Sequence, residues 1–333
     1  EVMALRRTPR RARAPRSVLR LAALAAFAAS LASAHAALAP RAALAQESTF
    51  ELRSTALYSN LVDFEFLGNL TYCGMRDGLL VLNQLDYVPT SIREFLLSPD
   101  SVVTAFTFND SKAYLSMGTA GVAVVNPFAP GNLRVAATIR PLFSSIAGAI
   151  GVDTLLYVTE GRRLLTHVLT SGDETRVLSD WPIPVNGGQL AFVGDRLLVY
   201  GPGGVVLVRI GASLAPVETE TLYTGADVVA AAGDGEAVYA ATRAGQLIPF
   251  IAVGDGFEQG DALALPGTPA DIAMTDGLVA VATDSGFAVY ETSEPDAPAL
   301  ALDYYDGEAA VSLVFREREL VVARETAGFQ TYS

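Results

Sequence analysis

Apolar residues occur in short runs along the chain from about residue 50 onwards, and Gly, Asp, Asn and Pro separate the runs. Short runs that are rich in Val, Leu and Tyr and end at turn residues are typical of β-strands. Pairs such as Gly68-Asn69, Gly194-Asp195 and Asp276-Gly277 lie between two runs, as the tight turns of β-hairpins require. No segment after residue 46 keeps the 3.6-residue period of an amphipathic helix. The pattern predicts an all-β chain.

The strands recur in seven copies of a repeat of about 42 residues. Each copy has an apolar strand, a short polar loop, a glycine and a second apolar strand, as in Tyr114-LSMGTA-Gly121-VAVVN. The aligned positions are Gly78, Gly121, Arg163, Gly204, Gly245, Gly286 and Gly328, so only the third copy lacks the glycine. The intervals are 43, 42, 41, 41, 41 and 42 residues. Four short strands in each such period are typical of a β-propeller blade.

The two ends of the repeat region predict how the ring closes. The seventh copy stops at Ser333, directly after its third strand, whereas the segment Phe50 to Leu57 precedes the first strand of copy one. Pairing this segment with the last blade would satisfy an edge that is otherwise open. We therefore predict a seven-bladed β-propeller of four-stranded antiparallel blades over residues 46–333, with the ring closed by the N-terminal strand joining the last blade.

Residues 1–45 differ in kind from the rest of the chain. They carry eight arginines and one acid, with an uncharged Ala/Leu-rich stretch from Leu21 to Ala34 and small-residue triplets at or beyond its end. This arrangement predicts a secretory signal peptide, and the alternative is a retained membrane anchor. We expect a secreted or periplasmic protein of the cell envelope, with no membrane span after cleavage and a monomeric state.

Charge and composition narrow the classes of function. The whole chain has a net charge of −13, and without residues 1–45 it has 15 basic and 35 acidic residues, which gives −20. A domain with one lysine and scattered arginines has no basic stripe for phosphates, so we expect no nucleic-acid partner. Cys73 is the only cysteine and lies in a predicted strand, which favours a buried thiol. His167 is the only histidine after His35, and we expect no cofactor and no metal.

The repeats resemble a known family. Gly-Asp, Tyr-Val, a small loop, Gly, an apolar run and then Asn-Pro or Glu-Pro look like the LVIVD repeat of secreted bacterial and archaeal propellers. The best matches are Tyr114 to Pro130 and Leu278 to Pro298, the second of which contains Gly286-FAVYETSEPDAP. The resemblance spans residues 50–333, and Arg163 and Pro249 depart from it. It implies an exported propeller and no particular activity.

Candidate binding residues lie in the loops between the second and third strands of the blades. These loops are expected to open on the face that carries the connections between blades. They hold five arginines, namely Arg76, Arg162, Arg163, Arg243 and Arg324. In a strongly acidic domain such a cluster would form a local positive rim for a carboxylate, a sulfate or a phosphorylated ligand. The alternative is that each arginine forms a solvated ion pair of small energetic consequence.

Two classes of function remain open, together with a purely structural domain of an envelope assembly, which differs from the first class only in having a permanent partner. The first is a non-catalytic binding or interaction platform for a protein or a glycan partner. The second is a propeller hydrolase or lyase with a site at the channel mouth, for which no catalytic residue can be named. An enzyme should have a deep axial pocket with converging acids of perturbed pKa, whereas a binder should have a shallow face and a plugged channel. Trp181 is expected either to pack between blades or to form an exposed carbohydrate platform.

Overall fold

The computed structural model describes residues 60–85, 88–97, 102–109, 112–127, 133–152, 154–170, 175–316 and 319–333. The predicted signal segment 1–45 and the predicted closing strand 50–57 lie outside these residues. The described chain forms β-strands joined by turns and short connections. The predicted all-β class is confirmed, because hairpin turns occur at Gly68-Asn69, Gly194-Asp195 and Asp276-Gly277 as the sequence indicates.

Four antiparallel meanders of four strands each account for repeats one, two, three and six. The first sheet contains β1 (Leu61–Leu67), β2 (Leu70–Met75), β3 (Gly78–Leu85) and β4 (Val88–Leu97). The second contains β5 (Ala105–Asn109), β6 (Lys112–Ser116), β7 (Val122–Val125) and β8 (Val135–Ile139). The third contains β9 (Ile146–Val152), β10 (Leu155–Glu160), β11 (Arg163–Leu169) and β12 (Thr175–Pro182). The sixth repeat forms β20 (Pro269–Thr275), β21 (Leu278–Thr283), β22 (Gly286–Glu291) and β23 (Ala299–Tyr305).

Repeats four and five are joined in one seven-stranded sheet, which the sequence did not predict. Its strands are β13 (Gln189–Val193), β14 (Arg196–Ile210), β15 (Pro216–Gly233), β16 (Ala237–Thr242), β17 (Gln246–Val253), β18 (Gly256–Gln259) and β19 (Leu263–Ala264). The first part of β15 pairs with β14 and its last part pairs with β16. Pro202 pairs with Asp227, so backbone pairing continues through the segment where the pattern predicted a loop.

The last sheet has three strands among the described residues: β24 (Ala310–Arg316), β25 (Glu319–Arg324) and β26 (Gly328–Tyr332). In this part of the chain, β26 pairs only with β25. The last sheet also packs against the first. The Phe64 ring lies 4.8 Å from the Phe329 ring in an edge-to-face arrangement, and Leu61, Phe64 and Cys73 share a buried cluster with Val321 and Phe329.

Burial decreases from the second strand of each sheet to its outer strand. All six residues of β10 and of β16 are buried, because neighbouring sheets cover both faces. The outer strands β12 and β23 are mostly exposed. The glycines of the repeat have a steric role: Gly286 has a φ of 144°, and a Cβ there would lie 2.0 Å from the carbonyl oxygen of Tyr304. The pattern of buried second strands explains why the repeat is so apolar.

Several first strands contain a β-bulge at the same place. The register shifts between Leu61 and Asp63, between Pro269 and Asp271, and between Ala310 and Ser312. A bulge redirects the side chain that follows it. These three bulges place two carboxyl groups and one hydroxyl near each other, as described below.

Candidate functional site

The hairpins between second and third strands lie at the same end of the sheets as the connections that lead into the first strands. Backbone hydrogen bonds join the two, from Arg243 N to Asp227 O (2.8 Å), from Asp284 N to Thr268 O (3.0 Å) and from Glu325 N to Ala309 O (3.1 Å). We call this end of the sheets the turn face. It is the face on which the sequence placed the candidate arginines.

Four of the five arginines are exposed, and three of these lie in the hairpin turns themselves. Arg76 lies in the turn after β2, and Arg162 lies in the turn after β10, where it donates to Pro184 O. Arg243 lies in the turn after β16, and its Nε donates to Asp227 Oδ2 at 2.6 Å. The arginines of the turn face therefore include at least one whose charge is already paired.

The other two arginines, like Arg243, are paired with carboxylates. Arg163, at the start of β11, forms an ion pair with Asp180. Arg324 is 1% exposed at the end of β25, where it forms an ion pair with Asp306 and donates to Glu308 O at 2.9 Å. Burial disfavours the charged form of Asp306, but the hydrogen bond and charge of Arg324 outweigh it and lower the pKa of this carboxyl. An anionic ligand at these arginines would compete with their carboxylate partners, and their ligand binding stays a prediction.

A short loop of the third sheet presents apolar side chains on the turn face. The connection Pro141–Ser145 joins β8 to β9, and Leu142 and Phe143 at its tip are 55% and 58% exposed. The side chain of Glu160, which is 1% exposed at the end of β10, hydrogen-bonds the backbone of this loop. Its Oε2 accepts hydrogen bonds from the backbone N–H groups of Leu142 (3.1 Å), Phe143 (2.8 Å) and Ser144 (3.2 Å). We call this connection the Phe143 loop.

The Phe143 ring separates two depressions on the surface. The first, of about 670 Å³, is lined by Thr138, Arg140 and Leu142 among others. The second, of about 550 Å³, is lined by Glu160, Arg162 and Arg163 among others. The Arg163 guanidinium lies 4.3 Å from the Phe143 ring centroid, a cation–π distance. Arg162 and Arg163 are thus brought together beside an exposed aromatic ring, whereas Arg76, Arg243 and Arg324 belong to other sheets.

Sequence reasoning missed Leu142 and Phe143. The repeat pattern makes no prediction for their segment. One feature of the sequence marks this region: Arg163 stands where the other copies have glycine. In the structure its side chain lies over the Phe143 ring.

A second candidate site is a cavity of about 280 Å³ between the first strands of several sheets. We call it the inner-strand cavity. Its walls come from β1, β5, β13, β14, β15 and β20, and they are mainly Ala, Val, Ile and Leu with a few polar side chains. The polar residues of the wall are Asp63, Thr107, Gln189, Tyr200 and Asp271.

Ser312 bridges the two acids of this cavity. Its Oγ lies 2.6 Å from Asp63 Oδ1 and 2.9 Å from Asp271 Oδ2. Asp271 also accepts hydrogen bonds from Ile272 N (2.8 Å) and Leu313 N (3.0 Å). Burial raises the pKa of both carboxyls, and the charge of Asp271 raises the pKa of Asp63 further. Burial, followed by the charges of both acids, also raises the pKa of Tyr200.

Three single residues that the sequence singled out have structural surroundings, two of them buried and one half-buried. Cys73 is buried, and burial raises the pKa of its thiol. His167 is 2% exposed, has no hydrogen-bond partner among the described residues, and has a lowered pKa because of burial. Trp181 is half-buried against the cluster around Tyr157, and its Nε1 donates to Thr219 Oγ1 of the next sheet at 2.8 Å. Trp181 is therefore the packing anchor between sheets rather than an exposed platform.

The described part of the chain contains no helix with the length and apolar character of a membrane span. Within the same residues, no three His, Cys, Asp or Glu side chains are grouped so that they could hold a metal ion.

Comparison with known proteins gives the fold. No protein-family model and no curated protein matches the chain. The β-propeller domain of Myceliophteria thermophila Cps50 (Swd1) aligns with a TM-score of 0.63 at 13% identity, over 82% of this chain and 96% of that one. A chain of the Mitotic Checkpoint Complex aligns with a TM-score of 0.62 at 14% identity, over 82% of this chain and 86% of that one. The RRP9 WD40 repeats align with a TM-score of 0.61 at 12% identity, over 80% and 87% of the two chains. At these identities the likeness shows a β-propeller fold.

Proposed function

We propose that this β-propeller is a protein-interaction platform whose binding surface is the turn face around the Phe143 loop. The observation that carries the proposal is the exposure of Leu142 and Phe143 on a loop held by the buried Glu160. Large apolar side chains held rigidly on a surface lose little conformational freedom on binding, and aromatic residues and arginine are enriched in the energetic centres of interfaces. The similar structures include a chain of a multiprotein complex, which agrees with this class of function.

A photoreactive phenylalanine analogue in place of Phe143 tests this proposal. In extract of the source cells it is expected to crosslink one protein, and the same analogue in place of the exposed Leu300 on β23 serves as the control. Unlabelled wild-type protein should suppress the crosslink, whereas the Phe143→Asp variant should not. Equal crosslinking from both positions, or equal competition by Phe143→Asp, would reject the Phe143 loop as the binding surface.

For the architecture we propose seven blades in a closed ring. The support is a circuit of neighbouring first strands: β1 contacts β5, β5 contacts β9, β9 contacts β13, and the contacts continue through β15, β20 and β24 back to β1. We further propose that residues 50–57 pair with β26 and complete the last blade. The three strands of the last sheet agree with this arrangement.

Hydrogen exchange at β26 tests the closure. A chain that begins at residue 58 should exchange the amides of Phe329 to Tyr332 faster than a chain that begins at residue 46, and its unfolding temperature should be lower. Unchanged protection of β26 in the shorter chain would contradict pairing with residues 50–57.

Export to the periplasm or the cell exterior is part of the proposal, and so is membership of the LVIVD-repeat propellers. Export rests on the arginine-rich and then Ala/Leu-rich order of residues 1–45, and membership rests on the repeat residues. Cell fractionation followed by N-terminal sequencing of the exported chain tests the first point. A protein that stays in the cytoplasm with residues 1–45 attached would reject it.

The alternative of a hydrolase or lyase has one observation in its favour, the two converging acids of the inner-strand cavity. Three of their four carboxyl oxygens, however, have hydrogen-bond partners within the protein: Asp63 Oδ1 and both oxygens of Asp271. Groups that serve acid–base catalysis must reach a substrate. We therefore assign the pair a structural role, and the Asp63→Asn variant should leave binding at the Phe143 loop unchanged.

A further inference from the structure

Three neighbouring first strands each contribute one polar side chain to a single contact, in which Ser312 is buried and the two aspartates are part-buried at the wall of the inner-strand cavity. Asp271 comes from β20, Ser312 from β24 and Asp63 from β1, so the contact joins the sixth, the last and the first sheets. Asp63 and Ser312 are 249 residues apart in the chain. The contact therefore lies at the junction between the two ends of the repeat region.

The number of protons in this contact follows from the hydroxyl. A serine hydroxyl has one proton and can donate one hydrogen bond, but Ser312 Oγ lies within hydrogen-bond distance of a carboxyl oxygen on either side. If both carboxyls were ionised, one of the two contacts would bring oxygen lone pairs together without a proton. A second proton, carried by one carboxyl, removes this conflict.

The backbone donors indicate which acid carries the second proton. Asp271 accepts backbone hydrogen bonds from Ile272 and Leu313, which stabilise its charged form, whereas Asp63 accepts one from Phe64 (2.7 Å). Asp63 then donates to Ser312 Oγ, and Ser312 donates to Asp271 Oδ2.

We propose that Asp63 keeps a proton at neutral pH and that the relay from Asp63 through Ser312 to Asp271 fastens the first sheet to the last two, so that loss of this proton to solvent loosens the junction. Once Asp63 is ionised, the single Ser312 proton cannot serve both carboxylates. Two like charges then face each other where burial leaves little water to screen them.

The other charged groups near the pair do not neutralise it. On β1, the half-buried Glu65 adds negative charge next to Asp63, and Arg316 of β24 acts mainly on Glu65. The Cys73 thiol of β2 and the Tyr200 hydroxyl of β14 are held neutral by burial. The parts of β5, β13 and β15 that line the cavity contribute no charged side chain.

The direction of the pH effect follows from the pKa of Asp63, which burial and then the charge of Asp271 raise well above its ordinary value. A folded state that binds one more proton than the unfolded chain loses stability as the pH rises. The contribution is fully present below the ordinary pKa of an aspartate. It is lost progressively up to the raised pKa of the folded protein.

Thermal and urea unfolding of the full chain between pH 5 and pH 9 test the proposal. The ratio of the unfolding constants of wild type and Asp63→Asn should rise about tenfold per pH unit until the pH reaches the raised pKa. The amide NH₂ of Asn can donate to Ser312 but cannot accept from Phe64 N as Asp63 Oδ1 does. This cost does not vary with pH, and because the amide does not ionise, the slope of the ratio still reports the Asp63 proton. The control is Asp276→Asn, an exposed acid in the turn after β20, which should follow the wild-type pH profile. Parallel profiles for wild type and Asp63→Asn would overturn the proposal.

Infrared spectroscopy gives a second test that does not depend on a variant folding. Wild-type protein at pH 7 in D₂O should have the C=O band of one protonated carboxyl, because all exposed acids are ionised at that pH. If Asp63→Asn folds, its spectrum should lack the band. A native wild-type spectrum without this band would refute the shared proton.

Discussion

Glu160 provides the sharpest test of how the structure builds the Phe143 loop. Its buried carboxylate accepts four hydrogen bonds from three consecutive backbone N–H groups, at 2.8 to 3.2 Å. Glu160→Ala removes both acceptor oxygens, so the N–H groups of Leu142, Phe143 and Ser144 can hydrogen-bond only to water. Glu160→Gln keeps one neutral acceptor and turns an amide NH₂ towards at least one N–H donor.

The expected magnitudes follow from the type of hydrogen bond. Hydrogen bonds to charged groups each contribute about 1.5–3 kcal/mol and neutral ones about 1 kcal/mol. These bonds share one acceptor group, and the freed N–H groups gain water, so their contributions do not add. We expect Glu160→Ala to destabilise the closed loop by roughly 3 kcal/mol and Glu160→Gln by roughly 2 kcal/mol. Glu291→Ala, an exposed glutamate at the end of β22, should change stability by less than about 0.5 kcal/mol.

Amide hydrogen exchange of residues 142–144 is the appropriate assay, because the loop can open while the sheets stay folded. A loss of roughly 3 kcal/mol corresponds to a protection factor that falls by about two orders of magnitude. Binding of the crosslinked partner should weaken in the same order, Ala more than Gln. Unchanged exchange at Phe143 in Glu160→Ala would show that the loop does not depend on this carboxylate.

Three further substitutions probe the fold. Arg324→Ala should cost about 3 kcal/mol in urea unfolding, because it empties the space of a large side chain that is 1% exposed and removes the hydrogen bond to Glu308 O; a cost below about 1 kcal/mol would contradict this. Gly286→Ala should cost roughly 2 kcal/mol and more than Gly235→Ala, because both glycines have a positive φ but only the new Cβ at position 286 meets a carbonyl oxygen. Equal costs would show that the close contact with this oxygen contributes nothing. The lowered pKa of His167 means that the unfolded chain takes up a proton below about pH 6.5 that the folded protein resists, so stability falls with acid. His167→Leu should lose less stability than wild type between pH 7 and pH 5 in thermal unfolding, and an identical loss would refute this.

The repeat pattern predicted much of the fold because it reflects a local steric rule. In six of the seven copies the residue after the second strand is a glycine with positive φ, and Gly121, Gly204 and Gly286 have φ values of 100°, 141° and 144°. Each also lies so close to the next strand that a Cβ would come within 2.0 Å of a carbonyl oxygen. Both constraints arise within a single repeat, so six of the seven copies show them in the sequence as a glycine.

The seven-stranded sheet could not be predicted in this way. Pro202 and Gly203 read as a loop by their residue types, yet backbone pairing of Pro202 with Asp227 carries β14 through them. This pairing joins residues 25 positions apart, and residue propensity at either position does not report it.

The candidate sites depend on contacts that are more distant still. Leu142 and Phe143 form a site only because Glu160 caps their backbone and Arg163 lies over the ring. The carboxyl pair was within reach of the repeat alignment, since Asp63 and Asp271 each stand fifteen residues before the repeat glycine. Their contact through Ser312 required the ring geometry, which brings the first and last repeats together.

The one copy that lacks the repeat glycine indicates where the surface differs from the other copies. At Gly121, Gly204 and Gly286 a Cβ would meet a carbonyl oxygen of the outer strand, so a copy with a side chain at this position needs a different local geometry. In the third sheet Pro182 is paired with Arg163, and Arg163 does not adopt a positive φ. This change releases the constraint on the side chain and places a guanidinium over an exposed aromatic ring on the turn face. Steric requirements of the fold alone would be met by glycine, as in the other six copies. The replacement is explained if the third sheet carries the binding surface, which is the part of the molecule that the Phe143 experiments address.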